Sequence, residues 1–269
     1  MSTKRFLLFA ILGIALGGAL VYKSRSQGVA SGGQLSPFTA HTIVSLTDSK
    51  GVNTTYQIVT AVRSDGGHVQ QNVTGAPTTL SINTRISDPV SRTITKWNSI
   101  TRLKSTLVLS DNALASLRWK YQSTTCADRF GVGPEDPHFM GWDKVAGTQV
   151  AVYGREDQVA IWKYYIAPGF NCFQMKQTED WKDHGGGKTV SEATQIVSGE
   201  PNASLFQVPS DAVEATPSAY EHEMTQAHFP GQPMPSSMEQ SMKRRDGGYY
   251  KSRDMALKLG IKLPELQRP

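Results

Sequence analysis

Between residues 38 and 73 the chain alternates. In "VNTTYQIVTAVR", Tyr56, Ile58 and Val62 fall on one side of an extended chain, with Gln57 and Arg63 on the other. Further on, Leu80, Ile82 and Ile86 alternate with Ser81, Asn83 and Arg85. A period of two predicts strands with one face buried and one wet. The intervening "DSKG" and "SDGG" carry residues that tolerate positive φ and predict tight turns. Asp88-Pro89 breaks the pattern before "RTITKW" resumes it. The run "QVAIWKYYIAP" places Ala160, Trp162, Tyr164 and Ile166 on one wholly apolar face. "CFQMKQTEDWK" and "KTVSEATQIVSG" then predict a last hairpin around Gly185-Gly186-Gly187. In all, roughly nine or ten strands in sequence-local hairpins are expected, an antiparallel meander.

The period changes in three places. Residues 111–121, "DNALASLRWKY", predict a helix capped by Asp111 that packs as a lid on the sheet. "CADRFGVGPEDPHFMGWDKVAG" is dense in Gly and Pro and is read as a connection. Beyond Pro209 no period is sustained, so residues 211–269 are expected to form an irregular tail, with a short helix near "SRDMALKLGIKLPEL". At the other end, Lys4 and Arg5 precede an uncharged apolar run over residues 6–21. A cationic start and an apolar core are the parts of an export signal, or of an anchor retained in the membrane. The expected organisation is a signal or anchor in 1–30, a linker in 31–37, a β domain in 38–210 and the tail in 211–269. An envelope location on the periplasmic side follows.

Composition narrows the chemistry. Without the first 30 residues about 240 remain, enough for one sizeable β domain and a tail. The net charge of +5 is spread thinly, with one tight cluster at Lys243-Arg244-Arg245. Nucleic-acid binders show a stripe of cations, so no nucleic-acid partner is expected. The two cysteines, Cys126 and Cys172, have no Cys or His at metal-site spacing and no signature supplying a catalytic His. In an exported chain they are expected to form one disulfide.

Motifs that would signal catalysis fail on their spacing. "HGGGKT" has Lys182 where a phosphate loop needs its first Gly, and a strand follows it rather than a helix. In "HEMTQAH" the histidines His222 and His228 stand six apart, about 240° round a helix, where a zinc-protease helix needs four. Glu135, Asp136 and His138 group in the connection, which a solvated loop explains as well as a metal site does. No nucleophile elbow or dinucleotide fingerprint is present. No enzyme activity, metal or cofactor is therefore expected. Trp97, Trp119, Trp142 and Trp162 are expected in the core.

Three stretches carry a resemblance. "SGEPNASLFQVPSD" (198–211), "YYIAPGFNC" and "RISDPVSRTITKW" resemble segments of a group of uncharacterised exported bacterial proteins. That group is similar to the outer-membrane lipoprotein carriers LolA and LolB and to RseB. The resemblance covers roughly residues 38–210. It implies an incomplete antiparallel β-barrel with one or two covering helices and an apolar concave face able to hold acyl chains. On this footing Trp162, Tyr164 and Ile166 are the candidate ligand-lining residues, for a lipid or the acyl chains of a lipoprotein. The membrane itself would be met through the N-terminal segment. The alternative is a membrane-tethered interaction module with a filled core.

Overall fold

The computed structural model describes residues 35–75, 80–122, 135–182, 186–228, 230–231, 236–263 and 266. The predicted signal or anchor, His184 and Cys126 lie outside them. Among the described residues no helix is long and apolar enough to cross a membrane.

Two meanders make one open sheet. The first comprises β1 (Phe38–Thr47), β2 (Asn53–Val62), β3 (His68–Thr74), β4 (Ser81–Asp88), β5 (Thr93–Asn98) and β6 (Leu103–Val108). The second comprises β7 (Phe139–Val145), β8 (Thr148–Glu156), β9 (Ala160–Ala167), β10 (Phe173–Trp181) and β11 (Gly187–Ser198). Each strand is antiparallel to its sequence neighbour within a meander, and β1 pairs antiparallel with β11 to join the two halves. A two-residue β12 (Val213–Glu214) adds parallel to β6, giving the order β12-β6-β5-β4-β3-β2-β1-β11-β10-β9-β8-β7. The described elements also include three α-helices, α1 (Asp111–Gln122), α2 (Pro217–His228) and α3 (Ser236–Lys258), and two single 3-10 turns, Pro168–Phe170 and Ala203–Phe206.

The predicted turns form for the expected reason. Asp48 Oδ1 accepts from the N–H of Lys50 (2.8 Å) and of Val52 (2.9 Å), and Gly51 supplies φ +79°. Asp65 does the same for Gly67 at 2.8 Å. Helix α1 also falls where the sequence places it, but its cap is Ser110, whose Oγ accepts from Ala113 N at 3.3 Å. Asp111 is turned outward and pairs with Arg92 at 2.5 Å.

Three expectations are corrected. The Gly/Pro-rich connection contains a strand, β7. Its pattern is disguised because Gly141 (φ +120°) sits in a bulge opposite β8, two residues after Phe139. The segment beyond Pro209 is not irregular either: it holds β12, α2 and α3. Helix α3 buries only Met242, Tyr249, Ser252 and Ala256. That stripe, with Met242, Tyr249 and Ala256 seven residues apart, is too narrow to register as amphipathic. Finally, the wet-face reading fails over β2–β4. Val62 packs with Phe38 and Ala40, while Ala61, Val69 and Ile86 on the opposite face are covered by Leu205, Phe206 and Val208. The chain after β11 folds back across that second face.

The C-terminal segment ends at the β6 edge. Glu214 is the second residue of β12, and its buried carboxylate accepts from the Thr106 N–H (2.7 Å) and Oγ1 (3.1 Å). A side chain there replaces the carbonyl that a neighbouring strand would supply.

Candidate functional site

The aromatic face of β7–β10 is built by register. Tyr153 lies opposite both Phe139 and Tyr164, Arg155 opposite Trp162, and Trp142 opposite Ala151. Trp162 and Tyr164 in turn face Glu179 and Gln177 on β10. Cross-strand partners share a face, so four strands contribute to one surface. Phe139 packs 5.7 Å from Trp142, edge to face, and 5.6 Å from Tyr153. The Arg155 guanidinium stands 5.5 Å from the Trp162 ring centre. The Trp162 indole N–H donates to Glu179 Oε1 at 2.5 Å.

The face is graded in depth. Tyr153 is buried, Trp162 and Tyr164 are half-buried, and Trp142 is 53% exposed. Trp142 is thus not the core residue its composition suggests. Trp97 is half-buried, and the Trp119 side chain lies outside the described residues. Of the three predicted lining residues, Trp162 and Tyr164 stand on this face. Ile166, opposite Ala151, continues the same face at its buried end, 2% exposed and packed with Ala151 and Cys172. The sequence did not single out Phe139 or Tyr153. Tyr153 lies in the recognised strand "TQVAVYG", and only the β8–β9 register places it beside Tyr164.

Electrostatically the face is quiet. Burial raises the Glu179 carboxyl above the ordinary glutamate value, against the opposing effect of the Trp162 hydrogen bond. Burial likewise raises the phenol of Tyr164, with Glu179 adding to it, and that of Tyr153, with Asp136 adding to it. Asp136 itself closes a turn, accepting from His138 N at 2.7 Å, and the His138 carbonyl accepts from Gly154 N at 2.9 Å. The group at 135–138 therefore starts β7. Among the described residues no set of three His, Cys, Asp or Glu is placed to hold a metal.

No family model and no curated protein sequence matches the chain. Among solved structures it is similar to PNGF-II, with a TM-score of 0.38 and 11% identity over 72% of this chain and 34% of that one. It is similar to the Pseudomonas aeruginosa MucA/MucB complex, with a TM-score of 0.37 and 14% identity over 68% of this chain and 59% of the other. It is similar also to a LolA superfamily protein from Nitrosomonas europaea, with a TM-score of 0.31 and 7% identity over 64% and 90% of the two chains. The chain spans 34% to 59% of the length of the first of these structures.

Cys172 follows the turn Pro168–Phe170, and both Asn171 (φ +53°) and Cys172 (φ +57°) are left-handed. Asn171 fixes this corner by a two-way bond with Ser36, its Oδ1 accepting from Ser36 N (3.0 Å) and its Nδ2 donating to Ser36 O (2.8 Å). Cys172 is 1% exposed and is not a free thiol. A shallow hollow of about 450 Å³ lies elsewhere, over the β1–β11 seam, between Ile43, Ala146, Val190 and Glu192. Glu192 on its rim pairs with Lys176 at 2.8 Å.

Proposed function

We propose that the protein is an exported, non-enzymatic envelope protein whose sheet curls as a half-barrel and holds an apolar ligand, a lipid or the acyl chains of a lipoprotein. The observation that supports this is the aromatic face, where Phe139 and Trp142 of β7, Tyr153 of β8, and Trp162 and Tyr164 of β9 converge from three strands with Trp142 half open to solvent. Trp162 and Tyr164 would touch the ligand, with Ile166 as the buried end of the same face. A Cys126–Cys172 disulfide would tie the connection before β7 to the base of this face. The apolar run at residues 6–21, behind Lys4 and Arg5, supports the envelope assignment.

A second reading is a tethered interaction module with no small ligand. It is favoured by the clusters on both sides of β2–β4, which the protein fills with its own side chains. Native mass spectrometry of the protein extracted from its own membranes separates the two. Extra mass of a phospholipid or acylated peptide, lost in Trp142→Ala/Trp162→Ala, supports the carrier. A ligand-free mass, with no quenching of tryptophan emission by brominated phospholipid, supports the module and overturns the carrier.

A further inference from the structure

Helix α3 has an outer face that the described residues leave exposed. At about 100° per residue, its buried Met242, Tyr249, Ser252 and Ala256 fall within one sector. Lys243, Arg244, Lys251 and Lys258 fall together on the opposite side, and all four are exposed. Along the margin of that cationic row stand Tyr250, 52% exposed, and Leu257, 79% exposed, seven residues apart. Leu259, 47% exposed, follows at the helix end.

The other charges of the helix are engaged inward. Asp246 accepts from Ser218 N (2.9 Å) and Oγ (2.5 Å), Arg253 donates to the Tyr249 hydroxyl (3.1 Å), and Arg245 lies 3.9 Å from Glu221. Among the described residues none of the four outer cations makes an ion pair. Only Glu239 and Asp254 place carboxylates on or beside that face. Gly247 and Gly248 leave it without side chains at mid-length, and a Cβ on either would meet nothing within 4 Å.

We infer that this face of α3 docks on an anionic lipid surface. Unpaired lysines and an arginine attract the headgroup phosphates, each cation adding a favourable increment near a negative leaflet. Leu257 and Tyr250 are placed to enter the headgroup–acyl boundary, as an interfacial helix requires. An acidic protein surface would match the cations but would leave Leu257 and Tyr250 without an apolar partner. The two-glycine gap brings the helix backbone close to the lipid plane. This docking goes beyond the ligand proposed for the sheet and uses the opposite end of the chain from the N-terminal apolar run.

The test uses the full chain carrying Leu257→Cys labelled with an environment-sensitive fluorophore, with the wild-type chain, whose cysteines are Cys126 and Cys172 alone, labelled in parallel as the control. Emission is read with phosphatidylcholine vesicles, with and without phosphatidylglycerol. The expected result is a blue shift on the anionic vesicles alone, abolished at high ionic strength. Replacing Lys243, Arg244, Lys251 and Lys258 by Gln should weaken the response by about 100-fold or more in lipid concentration, with the circular dichroism unchanged. No shift on anionic vesicles, an equal shift on neutral ones, or a shift with poly-glutamate and not with vesicles would each overturn the proposal. Because the reporter sits on α3, anchoring through residues 6–21 cannot imitate the result.

Discussion

The Tyr249 hydroxyl donates to Oε1 of Glu214 at 3.0 Å, tying the middle of α3 to the edge of β6. Arg253 completes the group, donating to the same hydroxyl at 3.1 Å and standing 3.9 Å from the carboxylate. Tyr249→Phe removes one donor from a carboxylate that keeps its two bonds to Thr106, and should cost about 1–2 kcal/mol. Glu214→Leu should cost more, about 2–4 kcal/mol, because it strands the buried Thr106 N–H and removes the anion facing Arg253. Urea denaturation of both variants gives the order. Equal stability of the Leu variant and wild type would mean that the C-terminal segment does not hold the β6 edge.

Burial, with Glu214 adding to it, raises the Tyr249 phenol above the ordinary tyrosine value. The folded protein therefore keeps this proton at pH values where the unfolded chain has lost it. Stability from this residue is complete below the ordinary value of about 10 and falls as pH rises beyond it. Tyr249→Phe should lose stability less steeply in that alkaline range, as thermal melts on both sides of it would show.

Glu179 follows the same sign at lower pH. Its raised carboxyl holds a proton in the fold that the unfolded chain releases near pH ~4.3, so stability falls as pH rises through the window above that value. Glu179→Gln keeps an oxygen for the Trp162 indole and has no proton to lose. Relative to wild type it should gain stability as pH rises above the ordinary glutamate value. A wild-type-to-variant difference that stays constant with pH would mean that folding leaves the Glu179 carboxyl as the unfolded chain has it.

Gly248→Ala should stabilise the protein by about 0.5–1 kcal/mol. The site is helical, the new Cβ meets nothing within 4 Å, and alanine reduces the freedom of the unfolded chain. A destabilised variant would mean that the outer face of α3 is covered in the folded protein.

If Cys126 and Cys172 are joined, the denatured mass lies two hydrogens below the reduced value. Reduction should then cost about 4 kcal/mol by the loop-entropy relation, less any strain. A full complement of free thiols would remove the tie proposed before β7.

The strands were legible where alternation and turn chemistry agree, as in β1–β3 with Asp48, Gly51 and Asp65 at the turns. β7 was not, because Gly141 in its bulge reads as a connection. Nor were α2 and α3, whose burial depends on a partner far back in the chain: Tyr249 is covered because Glu214 and Thr106 are already in place. At the candidate site, Trp162 and Tyr164 could be paired from the period of β9 alone. Phe139, Trp142 and Tyr153 join them only through the registers of β7 and β8. A local pattern identifies the face of a strand, not its neighbours.

The seam between β1 and β11 sets an order of events for the folding chain. Phe38 must find Ser198, and Thr47 must find Lys188, across nearly the whole β region, whereas every other antiparallel pair joins consecutive strands. Hairpin contacts close short loops and form early; the seam carries the loop-closure entropy of both meanders and forms late. Until β11 has been synthesised, β1 presents an open edge to its surroundings, and that interval is when the growing chain is most exposed to strand exchange with its neighbours.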